Sequence, residues 1–175
     1  MPKVKPILQK EEKVLRQIAK EIPTKDFKTL KLKKIIKEMS EALASQDDGV
    51  AIAAPQIGYS LRIFLVAGRV FDKNFLKGKD IVEKKEDKVY INPKIIKLSK
   101  EKEWMSEGCL SVRPVYGKTN RSKKATIEAY NENGEKFTQG ASNLLAQIFQ
   151  HETDHLNGIL FIDHAKDLRI ENLEK

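Results

Sequence analysis

An α+β fold follows from three features of this 175-residue sequence. Two apolar stripes at helical spacing lie near the N-terminus. Short runs of strand length fill the middle. A further helical stripe returns near the C-terminus. The order helix, helix, strands, helix predicts a largely antiparallel sheet with helices packed on it. At this length one domain, residues 1–175, is the expected organisation, and no internal repeat breaks it.

Val14, Leu15, Ile18, Ala19 and Ile22 recur at helical spacing, so the first helix is expected over Glu11–Ile22, ended by Pro23. Leu32, Ile35, Ile36, Met39 and Leu43 form the stripe of a second helix over Thr29–Ser45, stopped by Asp47-Asp48-Gly49. Ile63–Ala67 is an apolar run of strand length. Val89–Asn92 and Ile95–Leu98 read as two further strands with Pro93 between them. The polar, Lys-rich stretch between Phe71 and Lys88 reads as a surface loop. Thr126–Tyr130 alternates, and Asn133-Gly134 predicts a hairpin turn into Lys136–Gln139. The last helix is expected from an N-cap at Ser142 to a stop at Gly158.

Lys and Arg number 33 against 25 Asp and Glu, a net charge of +8. A basic excess favours contact with polyanions such as RNA, although it also serves solubility alone. No run of about 18 apolar residues is present, which argues against a membrane-spanning helix. The best stretch, Gly49 to Leu61, is broken by Pro55 and Gln56. Cys109 is the single cysteine, so no internal disulfide forms. That suits a reducing compartment, and a cytoplasmic location is expected.

The chemistry concentrates on the last helix, in His151-Glu152-Thr153-Asp154-His155. Residues four apart share a helix face, so both imidazoles reach one metal ion. Glu152 stands one step round, placed to handle the proton of a water held there. A catalytic site needs a third protein ligand and one open position. His164 follows Asp163 and reads as a turn or surface residue. Glu171 and Glu174 lie in a charged tail, a poor place for a ligand. Cys109 remains, set between Gly108 and Leu110 in a serine-flanked turn. A thiolate with two imidazoles suits a divalent transition metal. A third segment, Gly49 to Gly58, is small and apolar with one amide, Gln56. It reads either as a packed turn or as a substrate wall made of backbone. A small metallopeptidase and a metal-stabilised RNA-binding module are the competing functional readings.

Together, Gly49 to Gln56, Glu107 to Ser111 and Gln150 to His155 resemble the three motifs of the peptide deformylases, in the same order and at similar spacing. The likeness covers about residues 6–168. It implies antiparallel and mixed sheets around a central helix that carries the two histidines. It implies metal ligands Cys109, His151 and His155, with Glu152 as general acid and base. Gln56 and the Leu110 backbone N–H would serve as oxyanion donors. Gly49, Val50, Ala51, Met105, Glu107, Gly108, Leu144, Gln147 and Ile148 would contact substrate. The implied cofactor is one divalent metal, Fe(II) first, with Zn(II), Ni(II) or Co(II) tolerated. The implied partners are N-formylmethionyl nascent peptides and, through the basic surface, the ribosome. Glu107 and Arg121 read either as a pair that orients a ligand or as a surface salt bridge. Three positions depart from the family pattern: Ala51 replaces a glycine, Arg113-Pro114 replaces Pro-Gly, and Gln147 replaces an apolar residue.

Overall fold

The computed structural model describes residues 3–81 and 84–172. Two antiparallel sheets and two α-helices make the frame. Helix α1 spans Leu30–Ala44. Leu32, Ile35, Met39, Ala42 and Leu43 are buried along one face, as the stripe predicts. Thr29 caps it, its side chain accepting from the Leu32 N–H.

The first sheet is ordered β1 (Ala51–Ala53), β2 (Ile63–Val66), β3 (Lys88–Leu98), β6 (Lys124–Tyr130) and β7 (Lys136–Ser142). The second is ordered β4 (Lys102–Gly108), β5 (Val115–Ser122) and β8 (Lys166–Ile170). Helix α2 spans Asn143–Leu156, packs on the first sheet and also touches β5. Its buried Phe149 meets the Phe64–Tyr90 stack, whose ring centroids are 4.6 Å apart. That aromatic cluster fixes the height of α2 above the sheet.

The expected first helix is absent. Only Lys13–Arg16 makes a single 3-10 turn, and Ile18 is 74% exposed. The backbone bonds of this stretch go elsewhere. The Ala19 N–H donates to Leu156, the Lys20 N–H to Ser60, and the Arg62 N–H to Lys20. Leu15, Ala19 and Ile22 are still buried, so tertiary pairing overrides a helical pattern while using its apolar residues.

The two strands expected around Pro93 are one strand, β3, with register shifts against β6 between Ile91 and Lys94 and between Ile95 and Lys97. Pro93 is absorbed in that irregularity, which needs no ladder N–H from it. Asn92 adopts φ 48° there, and its amide pairs with both backbone groups of Ile22. The β6–β7 hairpin forms with a longer connection than a two-residue turn. Tyr130 pairs Lys136, and the Asn131 side chain accepts from the Asn133 and Glu135 N–H groups. Ser142 takes the N-cap of α2 with no side-chain cap bond. Gly158, at φ 74°, ends the helix: the Ile159 N–H donates to Asp154. The Lys-rich stretch follows a 3-10 turn at Gly68–Phe71 and holds another at Phe75–Lys77; its residues 82 and 83 lie outside the described residues, as does Glu174.

Candidate metal centre

Two elements converge on one place. Helix α2 presents His151 and His155 one turn apart, and the turn after β4 presents Cys109. Their ligand atoms lie within 4.8 Å of one another. Cys109 Sγ stands 3.2 Å from His155 Nε2, and the Ser111 N–H donates toward the sulfur at 3.4 Å. The Val112 N–H closes the turn on the Cys109 carbonyl. His164, weighed as a ligand from sequence, is outside this group and faces Asp154 at 3.5 Å. Glu171 pairs with Arg169 instead.

His151 Nδ1 contacts Glu107 Oε1 at 2.6 Å. Glu107 is itself saturated. Arg121 donates to both its oxygens, at 2.6 and 3.1 Å, Thr119 Oγ1 at 2.5 Å and Gln147 Nε2 at 3.2 Å. Arg121 also donates to Asp154 at 2.7 Å. Glu107 and Arg121 are 6% and 5% exposed, so this is a buried pair held against His151 and not a surface bridge. The register explains the cluster. Met105 pairs Thr119 and Glu107 pairs Gly117 across β4 and β5, so Glu107, Thr119 and Arg121 share the inner face. Burial alone would raise the Glu107 carboxyl, but its His151 and Arg121 partners outweigh burial and hold it well below the usual carboxylate range.

Burial disfavours charge on both imidazoles. For His151 the contacts with Cys109 and Glu107 outweigh burial and pull the ring well above its ordinary value. For His155 burial wins, helped by His151, and the ring sits well below its ordinary value. Burial likewise pushes Glu152 up to about 7. Glu152 Oε2 and His155 Nδ1 are buried without a protein partner among the described residues. A soft sulfur ligand and two imidazoles fit a divalent transition metal.

A cavity of about 210 Å³ opens over this group. Gly49, Val50, Ala51, Gln56, Glu107, Gly108, Cys109, Leu110, Leu144, Gln147, Ile148, His151 and Glu152 line it, each anticipated from sequence. Met105 does not. It shares the inner face of β4 with Glu107 but sits two residues back, about 7 Å along the strand. Asp48, Ser106, Arg113 and Tyr116 complete the wall, with Arg113 paired to Asp48 at 2.6 Å. Gly108 is dictated by Tyr116: a Cβ there would meet the ring at 2.5 Å.

The Gln56 side-chain oxygen, Oε1, accepts from the Ala53 N–H at 2.8 Å. Its Nε2 therefore faces Ser111 Oγ at 3.0 Å and Cys109 Sγ at 3.7 Å. Gln9 donates to the Leu110 carbonyl at 3.1 Å and so pins the peptide between Leu110 and Ser111. Gln9, Ser111 and Thr119 were not anticipated. Thr119 was legible in principle from the period-two pattern of β5, whereas Gln9 lies 101 residues from its partner.

A family model described as polypeptide deformylase matches residues 4–171. The chain belongs to the polypeptide deformylase family. Peptide deformylase 2 of Clostridium acetobutylicum is 40% identical over 153 residues, 87% of this chain and 89% of the relative. The peptide deformylase of Psychrobacter cryohalolentis is 37% identical over 165 residues, 94% of this chain and 80% of the relative. A crystal structure of a class I type b peptide deformylase from Acinetobacter baumannii with Met-Ala-Ser bound superposes with TM-score 0.82 at 30% identity, covering 94% of this chain and 99% of that one. A peptide deformylase structure from Legionella pneumophila gives 0.79 at 35% identity, covering 94% and 88%. The fold is therefore the deformylase fold and the chain is a metal-dependent amide hydrolase. No helix among the described residues is long and apolar enough to cross a membrane.

Proposed function

We propose that this chain removes the formyl group from the N-terminal formylmethionine of newly made peptides and releases formate. The observation that carries this reading is the Cys109–His151–His155 group at the floor of a cavity, beside a buried Glu152 raised to about 7. Cys109, His151 and His155 would hold one divalent metal, Fe(II) in this reading, with Zn(II), Ni(II) or Co(II) as substitutes. When bound, it supplies Lewis acidity and lowers the pKa of water.

Glu152 takes a proton from the attacking water and returns one to the leaving amine. A carboxyl raised toward neutrality suits both transfers. The water oxygen bonds to the formyl carbon, the C–N bond breaks, and formate and a free α-amine result. The developing oxyanion is met by Gln56 Nε2, aimed by the Ala53 N–H, and by the Leu110 N–H. Val50, Leu144 and Ile148 offer apolar wall to the methionine side chain, with Gln147 as a polar member. Strand β1 lies at the sheet edge, so Val50 and Ala51 can run beside an extended peptide backbone. A cytoplasmic location follows from this role. The charge of +8 supports contact with ribosomal RNA, which ribosome pelleting across a salt series tests.

The direct test loads the protein anaerobically with Fe(II), and separately with Zn(II) or Ni(II). Formyl-Met-Ala-Ser is supplied and the free amine is followed, with Glu152→Ala as the blank. Metal-dependent turnover lost in the variant is expected. No turnover with any bound metal would overturn the reading.

A further inference from the structure

The wall that α2 gives to the cavity repeats at helical spacing: Leu144, Gln147, Ile148 and His151. Two of these suit an apolar guest. Gln147 does not, and its amide is locked in one orientation. Its Nε2 lies 2.9 Å from the Ser106 carbonyl and 3.2 Å from Glu107 Oε2. A carbonyl and an ionised carboxylate only accept, so nitrogen and not oxygen must face them. The amide oxygen is then left on a cavity-lining residue with no protein donor among the described residues.

We infer that Gln147 is a specificity-determining residue, which presents a fixed hydrogen-bond acceptor to the side chain of the formylated residue while its nitrogen positions Glu107 against His151. This rests on the deformylase reading above. A thioether or an alkyl chain has no proton to offer. When such a chain fills the cavity, the amide oxygen loses water and gains nothing. A chain of similar length that ends in N–H, such as glutamine, recovers the bond. The cavity is thereby less selective for purely apolar side chains than a wall of leucine and isoleucine would be. The nitrogen side works independently. It is one of four side chains that donate to or share a proton with Glu107, and Glu107 is the partner that orients a candidate ligand.

The test compares wild type with Gln147→Met, which keeps length and removes both polar atoms. Metal-loaded protein is given formyl-Met-Ala-Ser and its norleucine and glutamine counterparts. The ratio of kcat/KM for the norleucine peptide to that for the glutamine peptide is expected to rise about tenfold in the variant, chiefly through KM. The rate at which a chelator strips the metal is expected to rise several-fold, a readout that needs no turnover. If wild type turns over formyl-Met-Ala-Ser and the ratio does not move in the variant, the specificity role is overturned. An unchanged stripping rate overturns the positioning role. A wild type that deformylates nothing instead overturns the deformylase reading beneath both.

Discussion

Replacing Arg121 with methionine tests whether the buried ion network sustains the site. The substitution removes two hydrogen bonds to Glu107, at 2.6 and 3.1 Å, and one to Asp154 at 2.7 Å. Glu107 stays buried, with Thr119, Gln147 and His151 around it and no guanidinium against it. Breaking a buried pair from one side costs about 3–5 kcal/mol. For a chain of this size each kcal/mol is about 2–4 °C in Tm, so Tm should fall by about 6–20 °C. The loss has a pH signature. Glu107 is held below its ordinary value in the folded protein mainly by His151 and Arg121, against the pull of burial. Without Arg121 its folded pKa rises, and protonation then relieves the burial penalty. The variant's deficit is therefore largest at neutral pH and shrinks as pH falls through the acid range. Metal affinity should drop about 10–100-fold, because the carboxylate that orients His151 is loosened. Melting curves from pH 4 to 8 and chelator competition at neutral pH measure both. Adding Glu107→Gln should recover part of the loss, since a neutral amide needs no countercharge. A Tm within about 2 °C of wild type, with unchanged metal affinity, would refute this reasoning.

Wild-type stability should decline in acid for a related reason. Glu107 and Asp163 both have folded pKa values below their unfolded ones, Asp163 through its bidentate Arg16 partner. Their contribution is present above about pH 4, the unfolded range, and is lost as pH falls toward the folded values. Denaturant titrations at pH 3 and 6 should show the fall, and Glu107→Gln should flatten it. Phe64→Ala removes a fully buried ring from the stack under α2 and should cost about 3–5 kcal/mol, read from the denaturant midpoint. Arg113→Gln frees Asp48 at the cavity rim. It should lower kcat/KM for peptides with an acidic second residue by about 1.5–5-fold, an effect erased by salt.

What sequence made legible divides by range. The α1 stripe, the β6–β7 turn and the helix that carries both histidines are local patterns with local causes, and they appear within a residue or two of expectation. Fifteen residues of apolar periodicity between Leu30 and Ala44 need no distant partner to be read. The stretch from Glu11 to Ile22 carried the same period, yet its backbone bonds are claimed by Leu156 and Ser60 from other parts of the chain. No local pattern encodes that. Strands β4 and β5 are hard to read because their inner face mixes charge with small residues, holding Glu107, Thr119, Arg121 and Gly117, and β8 because it is exposed along its whole length. A strand that buries a polar network looks polar. The same fact hid Thr119 while leaving Glu107 visible beside its motif. Met105 was expected at the cavity because it lies near Cys109 in sequence, but strand rise carries it away.

X-ray absorption on the metal-loaded protein tests the central claim most directly, since it reads the ligand atoms without any assay of turnover. Cys109, His151 and His155 predict a first shell of one sulfur and two imidazole nitrogens, completed by oxygen, with the sulfur lost in Cys109→Ser. A shell without sulfur, or one unchanged by removal of Cys109, would contradict it.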